Sequence, residues 1–313
     1  MVHDVLTEVP SGALRNEKKY SVRAIILPAL LIFVGIAVLI YPVVSTQWNN
    51  YRQAEVAERY AEVIQQEDPV FLSEQVERAR QYNSDHIGAP ILDPWLSRVS
   101  KDNIAYQEYL GQLNNNYAMA QIIIPKAEVN LPIYHGSDEH TLQKGIGHLF
   151  GTALPVGGIG THAVLTGHTG LTNATLFDNL PRLREGDAFY INTFGEKMKY
   201  QVDQIKVVLP EESDDLRAIP DRDLVTLITC TPYGINSHRL LVRGTRVPLD
   251  PAEEEAAFKE TGGVVWQWWM IAAIAAALLA LIFLVWWLFR ALAGSKKRSR
   301  GRHAAPNNDI QNR

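Results

Sequence analysis

The chain of 313 residues contains a single cysteine, Cys230. One cysteine cannot close an intramolecular disulfide. It leaves two readings, a reactive thiol or a small buried apolar side chain. Charge is missing from two long runs. Residues 24–44, AIILPALLIFVGIAVLIYPVV, hold no charged side chain in 21 positions, and residues 264–289, VVWQWWMIAAIAAALLALIFLVWWLF, hold none in 26. A hydrocarbon core is crossed by about 20 apolar residues, so each run predicts a transmembrane helix. The alternative for the first is a cleaved signal peptide. Its apolar part exceeds the roughly 7–15 residues of a signal core, and no A-x-A site follows, so a retained anchor is expected. The second carries Trp266, Trp268 and Trp269 at one end and Trp286 and Trp287 at the other. Rings placed so suit the two headgroup layers.

Basic residues flank both runs on their outer sides. Arg15, Lys18, Lys19 and Arg23 precede the first; Arg290, Lys296, Lys297, Arg298, Arg300 and Arg302 follow the second. The positive-inside rule then predicts a two-pass protein of the cell membrane, with both termini cytoplasmic and residues 45–263 extracellular. That outer portion has 30 acidic and 19 basic residues, a net charge of −11. It lacks the basic patch that nucleic-acid binding requires. The basic C-terminal cluster reads as stop-transfer and contact with lipid headgroups.

Residues 48–66 lack glycine and proline and are rich in helix formers, which predicts a helical stalk, continued at 73–82. Gly88, Pro90 and Pro94 break that pattern and predict a loop over 83–95. Residues 102–113 read as a helix or turn. Beyond Asn116 the texture changes: 120–136 has short β-branched runs punctuated by prolines, as edge strands have, and 162–170 reads as a strand ending in turn residues. Residues 174–183 predict a short helix with Phe177 and Leu180 inward. A hairpin is expected over 187–210 with its turn at 194–197, then strands at 223–230 and 238–249. Acidic 210–217 reads as a surface loop, LPVGG at 154–158 as a turn, and 251–263 as a tether. No internal repeat is visible. Many short strands with turns between them indicate an all-β barrel or sandwich.

Within that pattern Cys230 ends the run TLITC. A nucleophilic thiol needs a base or cation nearby, and a donor for the oxyanion that forms on attack. His168, in LTGHTG, leaves a predicted strand as Cys230 does. Arg239 begins the strand after the cysteine's loop, so a short excursion brings it back beside Cys230. The other histidines carry blander readings. His162 packs in a strand; His135, His140 and His148 are spread along loops without tight ligand spacing, so no metal and no cofactor is expected. His238 alternates to the strand face opposite Arg239. Thr229 and Thr231 flank the nucleophile as low-ranked substrate-groove residues, beside the simpler reading that threonine favours strands.

TLITC with Arg239 nine residues after the cysteine resembles the TLxTC…R signature of sortases. LTGHTG resembles their histidine motif, IIIPKAEVNLPIYHG their early strands, and ATLFDNLPRLREGD the segment after the histidine. The resemblance covers roughly 120–249. It implies an all-β, closed sortase-like barrel with short helices, here with an N-terminal helical stalk and lid and two flanking transmembrane helices. It implies that Cys230 is the nucleophile, His168 the acid/base and Arg239 the substrate-binding, oxyanion-stabilising residue. LDPW resembles the lid motif of the pilin-polymerising class C group, as does possession of a second span. By that likeness Asp93, Pro94 and Trp95 form a lid, with Asp93 pairing Arg239 and Trp95 covering Cys230.

The implied reaction is transpeptidation. The thiolate cleaves an LPXTG-like sorting signal between Thr and Gly, and a lysine amine of the next pilin resolves the thioester. The implied partners are pilin subunits and membrane lipid. Rival readings are a housekeeping sortase that anchors proteins to cell-wall peptidoglycan, a hydrolytic cysteine protease, and a non-catalytic membrane-tethered β-domain with Cys230 buried. The expected organisation is 1–23 cytoplasmic tail, 24–44 transmembrane helix, 45–119 stalk and lid, 120–250 catalytic barrel, 251–263 tether, 264–289 transmembrane helix and 290–313 basic cytoplasmic tail.

Overall fold

The computed structural model describes residues 22–86, 103–259 and 265–300, the side chains of 22–24 and 292–300 excepted. The proposed lid residues Asp93, Pro94 and Trp95 lie outside the described residues. Two compact units are distinct: Pro42–Gln267, and the helical segments on either side of it.

The first apolar run and the stalk are one element rather than two. Helix α1 spans Val22–Gln66 and continues through Pro28 and Pro42. A helix satisfies its own backbone, which an apolar surrounding demands at every residue. Helix α2, Pro69–Asp85, starts at an Asp68 cap with proline in its first turn. Helix α3, Ile104–Leu110, is capped by Asn103. The second apolar run forms the helix Trp268–Arg300. Ile25–Gln66 and Trp268–Ala291 are each long and apolar enough to cross a membrane. Large apolar side chains such as Leu31, Val38, Leu279 and Phe289 stand exposed along them. Such a surface is the kind a hydrocarbon core accommodates.

Eight strands close a barrel. They are β1 Ala120–Ile124, β2 Val129–His135, β3 Ile146–His148, β4 Thr161–Thr166, β5 Ala188–Thr193, β6 Glu196–Val208, β7 Asp223–Thr231 and β8 His238–Val247. Their order around the barrel is β1-β2-β3-β4-β7-β8-β6-β5. This settles barrel against sandwich, and closure leaves no edge, so the expectation of edge strands at 120–136 fails. Pro132 is tolerated inside β2 because pairing with β3 begins only at Ile133. The β5–β6 turn falls at Phe194 and Gly195, both with positive φ (50° and 88°), the geometry of a two-residue hairpin turn.

Strand alternation sorts the wall into two faces. Val225 and Leu227 of β7 and Val242 of β8 point into the main core with Ile122, Ile133 and Phe177. Val164, Ile228 and Leu241 point to the other face and pack with Leu149, Val208 and Leu216. Strand β7 is therefore covered on both faces, which explains its near-continuous apolar run.

Three further expectations fail. Residues 174–183 form no α-helix, only a 3-10 turn at Leu180–Arg182. Leu176 takes a positive φ of 40° there, and tertiary hydrogen bonds hold the segment. Phe177 and Leu180 are nonetheless fully buried. The segment read as a tether carries helix α5, Pro251–Lys259, docked on the barrel. Its Ala257 and Phe258 pack on Ile123 and Tyr190, and Glu253 and Glu254 pair with Lys199 and Lys197. His135, His140 and His148 are not on loops. His135 and His148 face each other across β2 and β3, and His140 lies in the single turn α4, Glu139–Leu142.

Candidate active site

The strand register decides what stands near Cys230. Strands β7 and β8 are antiparallel, and Cys230 lies directly opposite Arg239. Their Cβ atoms must then project to one face about 5 Å apart. The connection Pro232–Ser237 is tight. The Ile235 and Asn236 amides both donate to the Pro232 carbonyl at 3.0 Å, and Gly234 and Asn236 supply positive φ. Cys230 is 9% exposed and Arg239 7%. The guanidinium donates from one nitrogen to the Asn236 and His238 carbonyls at 3.3 Å.

His168 arrives from the other side of β7. Strands β4 and β7 run parallel, with Thr166 paired to Ile228. The ladder continues one residue past β4, where the Gly167 amide donates to the Ile228 carbonyl at 3.0 Å. One step on, His168 comes level with Cys230. By alternation Val164, Thr166 and His168 share a face, as do Ile228 and Cys230 and, across the pair, Leu241 and Arg239. Sequence reasoning named these three residues, and the fold brings them to one face of three adjacent strands.

Neither flanking threonine shares the strand face of the nucleophile. Thr229 is completely buried, and its hydroxyl donates to the Gly167 carbonyl at 2.7 Å. The pleat turns it, and Thr231 two residues on, to the face opposite Cys230. Thr229 reaches the site only through the peptide that precedes His168. Thr231 is half-buried at the barrel end, across from His238, which alternates away from Arg239 as expected.

Electrostatics around His168 are divided. Burial pushes its pKa below the ordinary value, and the Glu139 carboxylate, whose Oε2 is 3.5 Å from Nε2, pulls it back up. Burial dominates, so the ring favours the neutral form, able to accept a proton at neutral pH. The loop after His168 is tied internally. The Phe177 amide donates to the His168 carbonyl at 3.1 Å. Asp178 accepts from the Gly170 amide at 2.7 Å and the Thr169 hydroxyl at 3.0 Å, with burial raising its pKa to about 6. Glu139 and Asp178 escaped sequence reasoning. Glu139 lies 29 positions before His168, and no motif announces either.

Two buried histidines outside the site bridge parts of the fold. His148 is fully buried between the Tyr109 hydroxyl (3.0 Å) and the Ala153 carbonyl (2.8 Å). His162 lies between the Thr226 hydroxyl (2.7 Å) and the Arg217 carbonyl (2.9 Å). Burial lowers both to about 4. Among the described residues, no three His, Cys, Asp or Glu side chains are placed to hold a metal ion. A cavity of about 610 Å³ lined by Tyr82, His86, Phe150 and His162 lies at the start of β4, the end of the strand away from His168.

Comparison with known proteins agrees with this geometry. Residues 122–247 match the sortase domain family. The structure of sortase C-1 from Actinomyces oris is 57% identical, covering 58% of this chain and 100% of that one, with a TM-score of 0.57. Sortase A from Corynebacterium diphtheriae is 53% identical, covering 67% and 100%, with a TM-score of 0.59, and its lid mutant is 52% identical, covering 60% and 100%, with a TM-score of 0.56. Sortase C from Streptococcus pneumoniae, described for its pilin substrate specificity, is 40% identical over 62% and 97%, with a TM-score of 0.56. With a solved sortase chain matched along its whole length at more than half identity, and a thiol, an imidazole and a guanidinium on one barrel face, the chain belongs to the sortase family of cysteine transpeptidases.

Proposed function

We propose that this chain is a class C sortase that polymerises pilin. It is held in the cell membrane by two spans, with both termini cytoplasmic and residues 45–263 outside. The 57% identity to sortase C-1 over the whole of that solved chain is the observation that carries this reading. The two apolar helices and the LDPW stretch support it.

In this reading Cys230 attacks the Thr–Gly carbonyl of an LPXTG-like sorting signal. Neutral His168 takes the thiol proton, the C–N bond breaks, and His168 gives that proton to the departing glycine amine. Arg239, across the strand pair from the sulfur, stabilises the oxyanion. The thioester then meets the ε-amine of a lysine on the next pilin. The C–S bond breaks, an isopeptide bond forms, and His168 accepts the amine proton. Splitting one amide exchange into two acyl transfers lowers each barrier. Asp93, Pro94 and Trp95 act as a lid, with Asp93 forming a bidentate pair with Arg239 and Trp95 over Cys230.

The test uses full-length protein with a pilin and its Lys→Ala acceptor variant. The reading requires lysine-dependent polymers and an acyl-enzyme on Cys230; polymer formation without the acceptor lysine defeats it. Asp93→Ala and Trp95→Ala should speed thiol labelling of Cys230, and unchanged rates in both would remove the lid. A second reading is anchoring of proteins to cell-wall peptidoglycan, favoured by relatives named Sortase A in Bacillus anthracis and Streptococcus agalactiae. It predicts product only with a wall-type amine.

A further inference from the structure

The segment that carries His168 is gripped from outside the barrel by the two stretches of chain that adjoin the apolar helices. On α1, directly after the first apolar run, three side chains reach the same few residues. The Thr46 hydroxyl donates to the Thr172 carbonyl at 3.1 Å, and the Asn49 amide to the Asn173 carbonyl at 2.8 Å. Asn50 makes a reciprocal pair with Thr175. Its Nδ2 donates to the Thr175 hydroxyl at 2.8 Å, and its Oδ1 accepts from the Thr175 amide at 3.0 Å. From the other end, the Gln267 amide donates to Asn179 Oδ1 at 2.8 Å, and Asn179 is anchored on the Ala127 carbonyl. Gln47 of α1 joins the two stretches, donating to the Val265 carbonyl at 2.7 Å.

These bonds lead to His168 by a continuous route. The Thr175 carbonyl accepts the Asp178 amide at 2.8 Å. The Asp178 carboxylate holds the Thr169 hydroxyl and the Gly170 amide. The Phe177 amide holds the His168 carbonyl. Strand pairing ends at Gly167, so nothing in the barrel ladder fixes the segment after it. Thr46 and Thr175 are 1% and 5% exposed, so the part of the grip made by these two residues is sheltered, while the Asn49–Asn173 bond lies at the surface.

We propose that Asn50, with Thr46, Asn49 and Gln267 in support, is a positioning residue for the sortase reaction, setting the place of the His168 imidazole through the 172–179 segment. The stalk then serves catalysis directly, because the base is aligned by the chain that leaves the first apolar run. A displacement on the order of 1 Å in a catalytic group can cost about 100-fold in rate.

The proposal rests on the sortase assignment, and its test separates the two. Full-length protein in lipid nanodiscs is assayed with a sorting-signal peptide and an amine acceptor, with acyl-enzyme on Cys230 followed by mass spectrometry. Wild-type acylation reports the assignment itself; the variants report the inference. Asn50→Ala should lower kcat about 10- to 100-fold with KM within about threefold and should displace the pH profile of acylation. Asn50→Asp keeps an oxygen for the Thr175 amide and one for its hydroxyl, and should restore kcat to within about threefold. Glu55→Gln, on the same helix but paired only with exposed Arg59, should leave kcat unchanged. Gln267→Ala provides an independent arm and should reduce kcat in the same direction. Asn50→Ala at wild-type kcat would overturn the proposal, as would equal losses in Asn50→Ala and Asn50→Asp that track only a fall in melting temperature.

Discussion

The two sides of the site are built differently. Cys230 and Arg239 face each other across an antiparallel pair, and the β7–β8 ladder that runs from Leu224–Thr245 to Thr231–His238 sets their spacing. His168 lies one residue beyond its ladder, at the head of a segment held by core burial of Phe177 and Leu180 and by side-chain hydrogen bonds. A ladder spreads its restraint over many residues, so a single substitution barely moves it. A hydrogen-bonded loop concentrates restraint in a few groups, each worth about 1 kcal/mol net. The nucleophile and its guanidinium should therefore tolerate neighbouring substitutions that displace the histidine.

The sharpest break in that comparison is loss of the chemistry itself. Cys230→Ala should abolish acyl-enzyme formation, and His168→Ala should lower turnover by about 100-fold or more. Arg239→Ala should cost about 100- to 1,000-fold in kcat, the loss expected for an oxyanion donor. Lysine there should restore little, because it lacks the planar fork. These outcomes are read by steady-state turnover and by mass of the trapped thioester.

Thr229→Val separates the two sides more selectively. It removes the hydroxyl that ties β7 to the Gly167 carbonyl and leaves that carbonyl buried and short of a donor, a cost of about 1–3 kcal/mol. The expected result is a lower melting temperature and reduced turnover, with Cys230 alkylation almost unchanged. Gly167→Ala should be harsher on folding, because its Cβ would come within 2.7 Å of Ile146 and 2.8 Å of Phe177.

Acid should act on the barrel through two buried rings as well as on the site through His168. His148 and His162 have folded pKa values of about 4 against about 6.5 unfolded. Their folded-state values are depressed, so their contribution is complete above pH 6.5. It is lost as pH falls from 6.5 to 4, by about 3 kcal/mol for each. Urea denaturation between pH 7 and 4 measures this, and a flat response would contradict the burial of either ring. The smallest effect is at Glu139, a mostly exposed carboxylate. Glu139→Gln removes the influence that raises the His168 pKa, so the histidine limb of the pH–rate profile should move to lower pH, less so at high salt.

Much of this was legible in the sequence because it depends on local pattern. The continuous apolar character of β7, the turn residues of 232–237 and the return at Arg239 place Cys230 and Arg239 together once the two strands pair. The two uncharged runs announced their helices by length alone. The apolar spacing of 174–183 suits a helix, but Asn50, 125 residues from Thr175, and the His168 carbonyl claim backbone amides of the segment. The burial of Thr229 was not legible, because adjacency in sequence suggests adjacency in the site whereas the pleat sends neighbours to opposite faces.

The sequence by itself determined the longer strands but not β3, the two apolar helices, and which thiol, imidazole and guanidinium to consider, because periodicity and residue chemistry are local properties. Only the tertiary structure decided barrel closure, the burial of Thr229, the approach of Glu139 to His168 and the grip of Asn50 on Thr175. Those depend on groups up to 125 residues apart, brought together when the apolar faces of all eight strands are buried at once.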